Sequence, residues 1–272
     1  QGVKQNYAGY ESDSYEQTNG RGAGVYMFDA LTGSLLWWSS ANATTSEGGY
    51  VATPAAEMKF SVVSPSKAVD RNSDGLSDHL FFGDLGGQVW RVDLNNDSAI
   101  TSEQFAKAPV RLLNLGGSGL TRKRFYEAPG FSTYTNEGNK IFGVVSIGSG
   151  NRSLPLKDYT VGTNDISHDG VYNIYDKDVA RSDLFDFVSG PGAAKVYKYV
   201  PSEKGTNQTL LTTVDVTLQS EETNGITATS SKMLINLANS DRLKNVDKLS
   251  PTASYGDTQG WYYLFKSNKL QS

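Results

Sequence analysis

The stretch that decides the fold of this chain is Leu80-Phe81-Phe82-Gly83-Asp84-Leu85-Gly86-Gly87-Gln88-Val89-Trp90-Arg91-Val92. Two runs of aromatic and β-branched residues, which favour strands, lie on either side of Gly86-Gly87. Because a glycine pair readily forms a two-residue hairpin turn, the stretch predicts a β-hairpin that turns at these glycines. Trp90 lies on its second strand.

A second unit of the same form runs from Val25 to Trp37. Its two predicted strands flank a turn in which Asp29 can accept backbone N–H bonds and Gly33 can adopt positive φ. A strand–turn–strand unit with a late tryptophan that recurs along a chain is typical of propeller blades, which take about 40–50 residues each. A chain of 272 residues would then supply roughly five or six blades. A β-sandwich in which the tryptophan positions coincide by chance is the alternative.

The rest of the chain follows the same pattern. It contains 28 glycines, 15 tyrosines and 11 phenylalanines, a composition that favours many short strands joined by turns. Helix candidates are confined to Ser102–Lys107 and the stretch Asp178–Asp186, and both are short. We therefore predict an all-β fold, with residues 1–272 forming one β-propeller domain or an incomplete ring of one, with long loop insertions. Further strands are predicted at 24–28, 140–147, 171–175, 194–199 and 260–265.

Composition excludes several classes of function. The chain has 25 basic and 29 acidic residues and a formal net charge of −4, so it does not have the basic excess expected of a protein that binds nucleic acid or an anionic membrane. It contains no cysteine, which excludes disulfides, thiolate metal sites and cysteine nucleophiles. No run approaches the roughly 20 apolar residues of a membrane span. The chain begins at Gln1 with neither a methionine nor a signal segment, and we expect it to be one domain of a longer protein.

The segment directly before the hairpin has the chemistry of a calcium loop. Acidic and amide side chains alternate at positions 70, 72 and 74, which brings three oxygens to one side of a tight loop. Ca²⁺ takes about six to eight oxygen ligands in flexible geometry, and Gly75 permits the sharp turn that such a loop needs. The predicted ligands are Asp70, Asn72, Asp74, the backbone carbonyl of Leu76, and Asp78.

The loop differs from an EF-hand at its end. Position twelve, which carries a bidentate Glu in an EF-hand, is Phe81 here, and the residues around it begin a strand instead of a helix. Asp78 therefore takes the closing role. Mg²⁺ is disfavoured because it prefers a rigid octahedron and retains its water. A metal-free loop held by Asx turns is the alternative interpretation.

The run from Asp70 to Leu94 resembles the signature of the PilC/PilY-type adhesins, which are large tip-associated proteins of bacterial type IV pili. In that signature a calcium loop leads directly into a strand, followed by Gly-Asp-Leu-Gly-Gly (83–87 here), Trp-Arg (90–91) and Asp-Leu (93–94). Val25 to Trp37 resembles a quinoprotein-type propeller repeat. Segments that resemble later parts of the family's propeller lie at 148–152, 171–176 and 260–264.

The resemblance implies a modified, quinoprotein-like propeller at the C-terminus of a longer protein, with Ca²⁺ on the five ligands named above. It also implies roles in pilus biogenesis, twitching motility and surface adhesion. The implied partners are minor pilins at the type IV pilus tip and a host or surface receptor. The implied location is extracellular, on the bacterial surface at the pilus tip or the outer membrane.

Two other classes of propeller are alternatives. An integrin-like or lectin-type adhesion propeller also carries a loop of this calcium-binding pattern before a strand, but the continuation through Gly83-Asp84-Leu85-Gly86-Gly87 and Trp90-Arg91 favours the pilus family. A quinoprotein dehydrogenase shares the wider fold, and fold alone does not determine function. Such enzymes often carry a vicinal cysteine pair, which this chain does not have.

The sequence favours a protein that is not an enzyme. Only His79 and His168 could supply an imidazole base, and no Gly-x-Ser-x-Gly elbow is present. We expect His79 at a strand edge and His168 in a solvated loop. A further acidic cluster could be a second cation site, but its irregular spacing favours an exposed polar face. Its members are Asp176, Asp178, Asp183 and Asp186.

Overall fold

The computed structural model of the chain describes residues 22–44, 51–96, 105–116, 122–135, 138–150, 152, 169–189, 195–201, 212–213, 222–223, 226–227 and 259–264. These residues form an all-β structure, as predicted, and the described part contains no α-helix. One 3₁₀ turn spans Asp178–Ala180. The strands, in chain order, are β1 Gly24–Phe28, β2 Leu35–Ser40, β3 Val51–Pro54, β4 Lys67–Val69, β5 His79–Gly83, β6 Gln88–Asp93, β7 Val110–Asn114, β8 Gly130–Thr135, β9 Ile141–Gly148, β10 Gly170–Asp176, β11 Phe187–Ser189, β12 Lys195–Tyr197, β13 Thr212–Thr213, β14 Glu222–Thr223, β15 Ile226–Thr227 and β16 Gly260–Leu264.

Three sheets carry most of these strands. The first sheet has the order β1-β2-β3, with β1 antiparallel and β3 parallel to β2. The second sheet, β4-β5-β6-β7, is antiparallel throughout. The third sheet has the order β8-β9-β10-β16-β13 and is antiparallel except for its edge strand β13. Strands β11 and β12, and strands β14 and β15, form separate antiparallel pairs.

The first and second sheets pack face to face through an apolar cluster. Trp37 on β2 and Trp90 on β6 both lie in it, together with Phe82 on β5, and all three are buried. The indole Nε1 of Trp37 donates to Thr53 Oγ1 on β3 (2.8 Å), and that of Trp90 donates to Asp84 Oδ2 (2.9 Å). Both buried indoles are therefore hydrogen-bonded, as a tryptophan in a core requires.

The opposite face of the second sheet packs against the third sheet. Side chains alternate between the two faces of a strand, so Phe81 and Val89 point away from the first sheet and join Val145 on β9 and Tyr172 on β10 in a second cluster. Every residue of β6 is consequently buried. Sheets of sequential strands stacked face to face are the arrangement of neighbouring propeller blades, and these three sheets are stacked in that way.

The turn predicted in the first unit is confirmed, and the one in the second unit is wrong. Asp29 Oδ1 accepts the N–H groups of Leu31 (2.9 Å) and Thr32 (2.7 Å), and Gly33 has φ +72°. The second hairpin does not turn on a glycine pair alone. Its strands end and begin at positions 83 and 88, so four residues connect them, because the side chain of Asp84 occupies the centre of the turn.

Neither helix candidate forms an α-helix in its described part. Of Ser102–Lys107 the structure describes 105–107, where Ala106 makes an antiparallel bridge to Leu94. Of the stretch from Asp178 to Asp186 only the 3₁₀ turn is helical. Segments this short do not repay the nucleation of a helix, and backbone pairing with the sheets prevails. In the described residues there is also no helix with the length and apolar content of a membrane span.

Candidate metal centre

The predicted calcium loop connects β4 to β5, which are adjacent antiparallel strands of the second sheet. Its backbone curls at two residues of positive φ, Ser73 (64°) and Gly75 (92°). Asp70 holds this curl from inside. Its Oδ1 accepts the N–H groups of Asn72 (3.2 Å) and Ser73 (2.7 Å), and its Oδ2 accepts the N–H of Gly75 (2.9 Å).

The same hydrogen bonds fix the charge of Asp70. The N–H of Gly75 has the largest influence and lowers the pKa of this exposed carboxyl below its ordinary value. The N–H groups of Ser73 and Asn72 act in the same direction. Asp70 is therefore ionised at neutral pH, which is the state that a cation requires of a carboxylate ligand.

Asn72, Asp74 and Leu76 lie on the exposed part of the loop. Asn72 Oδ1 accepts the N–H of Asp74 (3.1 Å), and Asp74 Oδ1 accepts the N–H of Leu76 (2.8 Å). Asn72 Nδ2 also donates to Asp74 Oδ2 (2.9 Å). Across the described part of the chain, no three His, Asp or Glu side chains are gathered closely enough to hold an ion. The predicted ligands thus share one loop without converging on one point.

Asp78 differs from the other predicted ligands because it is buried, with 5% of its surface exposed. Its N–H donates to Val69 O and its carbonyl accepts the N–H of Leu94, both at 2.8 Å, so its backbone is fixed between neighbouring strands. Its Oδ2 accepts the N–H of Arg71 (2.8 Å), and Oδ1 is not one of the enclosed polar atoms that lack a partner in the described chain. Asp78 is thus the carboxylate of the loop that the strands on either side hold in place.

The residues of the loop fit a hard cation in their chemistry. They offer carboxylate, amide and carbonyl oxygens, which are the ligands of Ca²⁺. At the end of the loop Asp78 is held by the neighbouring strands, and its Oδ2 accepts the N–H of Arg71, so its other oxygen can serve as a ligand. Ca²⁺ on these residues would neutralise the excess negative charge of three carboxylates within nine residues.

The glycine-rich part of the signature has a packing role. Asp84 is wholly buried; its Oδ1 accepts the N–H groups of Gly86 (2.8 Å) and Gln88 (3.0 Å), and its Oδ2 accepts Trp90 Nε1 (2.9 Å). A Cβ on Gly86 would lie 2.1 Å from the ring of Phe60, so the position has no room for a side chain. Burial raises the pKa of Asp84 to about 7, although the hydrogen bonds from Trp90, Gln88 and Gly86 act in the opposite direction.

A buried ionic cluster lies between the second and third sheets, and sequence reasoning missed it. The guanidinium of Arg91 contacts Asp93 on its own strand (Nε–Oδ1 2.7 Å, Nη2–Oδ2 2.9 Å) and Asp176 on β10. His79 Nδ1 lies 2.8 Å from Asp93 Oδ1. Burial alone would raise the pKa of Asp93, but Arg91 and His79 outweigh burial and hold that pKa well below its usual range. The available signal was the i, i+2 spacing of Arg91 and Asp93, which places them on one face of a strand.

The prediction of an exposed acidic face is wrong for two of its four members. Asp176 is wholly buried against Arg91, and Asp178, 5% exposed, accepts a hydrogen bond from the hydroxyl of Tyr199 (2.8 Å). They are covered because β10 stacks against the second sheet. Asp186 is exposed as predicted, and Asp183 pairs with Arg181 at 2.9 Å while remaining partly exposed.

Of the two histidines that the sequence analysis considers, the described part of the chain contains His79. His79 belongs to β5, as predicted, but it is wholly buried, and its Nε2 has no hydrogen-bond partner among the described residues. A ring so enclosed is not placed to act on a substrate. His168 lies outside the described residues.

Comparisons with known proteins give one similarity. No family model and no curated protein matches the chain. Among solved structures, the chain is similar to the crystal structure of the Pseudomonas aeruginosa PilY1 C-terminal domain, with 18% sequence identity and a TM-score of 0.46. The match covers 90% of this chain and 45% of that chain, so this chain spans less than half of that length.

Proposed function

We propose that this chain is a calcium-binding propeller region of a type IV pilus-associated protein. In this proposal Ca²⁺ is bound by Asp70, Asn72, Asp74, the carbonyl of Leu76, and Asp78. The observation that carries the proposal is the environment of Asp78. This residue is largely buried where a calcium-type loop enters the second sheet, its backbone is fixed by Val69 and Leu94, and its Oδ2 accepts the N–H of Arg71, which leaves Oδ1 for an ion.

The fixed ligand and the exposed ligands of the loop contribute to Ca²⁺ binding in different ways. Asp78 is the fixed ligand, because its backbone is hydrogen-bonded to Val69 and Leu94. Asn72 and Asp74 are exposed and bonded only to loop atoms, so water can replace those bonds at a small net cost when the side chains turn toward an ion. Asp70 keeps the backbone curled in both states through its bonds to loop N–H groups.

The biological role in this proposal is binding at the cell surface, without catalysis. The resemblance of residues 70–94 to the PilC/PilY-type signature supports pilus biogenesis, twitching motility and adhesion, with minor pilins at the pilus tip and a surface receptor as partners. The burial of His79 supports a non-enzymatic role, since this ring is enclosed by protein. Ca²⁺ then contributes order to the loop and to the start of β5, and supplies charge compensation instead of reaction chemistry.

An integrin-like or lectin-type calcium propeller is the second candidate, because its blades carry the same loop pattern before a strand. The residues after the loop separate the two. Asp84, Gly86 and Trp90 form one buried turn unit, and these residues belong to the part of the signature that resembles the pilus family.

The experiment that tests the proposal is calorimetric Ca²⁺ titration of the purified chain and of Asp70→Ala and Asp78→Ala. We expect one Ca²⁺ per wild-type chain and no measurable binding by either variant. Asp29→Ala is the matched control, since Asp29 also accepts loop N–H groups in an exposed turn but is not a predicted ligand. Unchanged affinity in both loop variants would reject the ligand assignment.

The cellular part of the proposal is tested with Asp78→Ala in the full-length protein of its own bacterium. We expect reduced piliation, twitching and adhesion. A variant that has lost Ca²⁺ in vitro but piliates, twitches and adheres normally would remove the functional role of the ion while leaving the site intact. Reproducible quinone-dependent dye reduction by the purified chain would favour a dehydrogenase instead.

A further inference from the structure

The turn that follows β10 packs against the calcium loop of the neighbouring sheet. We call residues 181–185 the docking turn. The side chain of Arg71 leaves the loop and reaches it: Arg71 Nη2 donates to Arg181 O (2.8 Å), and the guanidinium carbon lies 5.6 Å from the centre of the Phe185 ring. A charge-assisted hydrogen bond and a cation–π contact therefore join two sheets at the predicted ion site.

The same turn is held from its other side by residues of the second sheet and its connections. The ring of Phe185 stacks on His79, with centroids 6.1 Å apart and planes at 26°. Lys107 Nζ donates to Leu184 O and lies 5.8 Å from the Phe185 ring. Phe185 is thus enclosed by the loop residue Arg71 and by His79, which directly follows Asp78 in the chain.

The backbone of Arg71 contacts a predicted ligand, and its side chain contacts the docking turn. Its N–H donates to Asp78 Oδ2 (2.8 Å), and its neighbours in the chain are the predicted ligands Asp70 and Asn72. A loop conformation that gathers the ligands around an ion therefore also fixes where the side chain of Arg71 leaves the loop. Conversely, a docked turn restricts the loop before the ion binds.

We propose that Arg71 is a positioning residue that couples Ca²⁺ binding in the loop to docking of residues 181–185 of the next blade. This inference rests on the proposed calcium site. Coupling between two events is reciprocal, so the docked turn raises the affinity of the loop for Ca²⁺, and Ca²⁺ tightens the contact between the second and third sheets. The ion would in this way reinforce the junction of two blades as well as one loop.

Coupling and simple electrostatics predict opposite effects for Arg71→Met. Removing a positive charge beside a cation site would raise its affinity for Ca²⁺ if charge repulsion were the dominant effect. Coupling predicts a lower affinity, by about two- to tenfold, the size expected for one hydrogen bond and one cation–π contact at exposed positions. Phe185→Ala changes no charge and should lower the affinity in the same direction. Arg152→Met is the control, since Arg152 is an exposed arginine that lies outside the loop and pairs with Glu127 at 3.4 Å.

The experiment combines calorimetric Ca²⁺ titration with amide hydrogen exchange of residues 181–186 in Ca²⁺ and in chelator. We expect Ca²⁺ to slow exchange in the wild type and in Arg152→Met, but much less in Arg71→Met and Phe185→Ala. The double variant Arg71→Met/Phe185→Ala should lose less binding free energy than the two single losses added together, because the two substitutions share the contact between Arg71 and Phe185. Wild-type affinity together with wild-type exchange in both single variants would refute the coupling and leave the calcium site standing. A wild-type chain that binds no Ca²⁺ would refute both.

Discussion

Asp78→Asn should separate the folding role of Asp78 from its role as a ligand. Asparagine keeps the shape of the side chain and one oxygen that can accept the N–H of Arg71. In the wild type this hydrogen bond joins Arg71 N and Asp78 Oδ2 at 2.8 Å. It removes the negative charge of a residue that is 5% exposed. The loss of a buried charge is favourable, whereas the amide N–H groups left without acceptors cost about 1–3 kcal/mol. In chelator the two effects oppose each other, and we expect the free energy of unfolding to change by about 2 kcal/mol or less.

The response to Ca²⁺ should be larger than this change and absent from the variant. A ligand that binds only the folded state at 100 times its Kd adds about 2.7 kcal/mol to the free energy of unfolding. For a chain of 272 residues, this raises the wild-type Tm by about 5 °C or more. Thermal unfolding is followed by circular dichroism in excess chelator and at saturating Ca²⁺. The quantity compared is the Ca²⁺-induced shift in Tm of the wild type minus that of Asp78→Asn. That difference does not depend on how the substitution affects folding itself.

The control for this experiment is Asp29→Asn, which removes a carboxylate that accepts N–H groups in another exposed turn. Its Ca²⁺-induced shift should equal that of the wild type. An Asp78→Asn variant with the full wild-type shift would refute the argument from burial, since the charge of Asp78 would then contribute nothing to binding. A shift lost equally in Asp29→Asn would show that the effect comes from overall charge and not from the loop.

Three further predictions concern the scaffold. Burial raises the pKa of Asp84 from its ordinary 3.8 to about 7 in the folded chain, so protonation of this carboxyl favours the folded state. Its contribution to stability is full below about pH 4 and is lost as the pH rises through 7. The difference in urea-unfolding free energy between wild type and Asp84→Asn should therefore fall over that range, and a difference that is constant with pH would contradict it. Arg91→Met should lower the urea-unfolding free energy by about 3–5 kcal/mol, because it removes the cation that the buried carboxylates of Asp93 and Asp176 both contact. A loss under about 1 kcal/mol would show that the cluster is not charged as described. Gly86→Ala should lower the free energy of unfolding by about 1–3 kcal/mol, because its Cβ would overlap the ring of Phe60. Gly148→Ala is the control: its Cβ would meet no atom within 4 Å, so the Tm should stay within about a degree or two of the wild type. An equal Tm in the two variants would contradict the packing argument.

The sequence predicts those parts of the fold that depend on neighbouring residues. The strands at 79–83 and 88–93 follow from runs of aromatic and β-branched residues, and the structure places them within one residue or two of the predicted ends. The turn at Asp29 follows from the capacity of a short carboxylate to accept N–H groups two and three residues ahead. The prediction for the turn after β5 was wrong in detail. The side chain of Asp84 accepts backbone N–H groups of the turn, so four residues connect the strands instead of two.

The sequence does not predict those features that depend on which sheets face each other. Asp176 stands at the end of a strand and reads as a solvated charge, yet it is buried because β10 stacks on the second sheet, where Arg91 faces it across 85 positions of sequence. No local pattern in the sequence predicts the contact between Asp176 and Arg91. The burial of Asp78 was hidden for the same reason. The sequence predicts the five ligands of the loop. It does not predict that Asp78 is the enclosed carboxylate among them, because that follows from the strands on either side.

The signature that runs from the loop into the hairpin therefore has two physical parts. The first, residues 70–78, carries three carboxylates within nine residues, and most of its residues are exposed. The second, from Gly83 to Arg91, is satisfied internally by Asp84, Trp90 and the buried ionic cluster. Buried polar groups that are satisfied within the chain stabilise one structure, whereas neighbouring carboxylates repel one another until a cation binds. Asp78 lies where these two parts meet, so an ion bound there would act directly on the strand that both neighbouring sheets pack against.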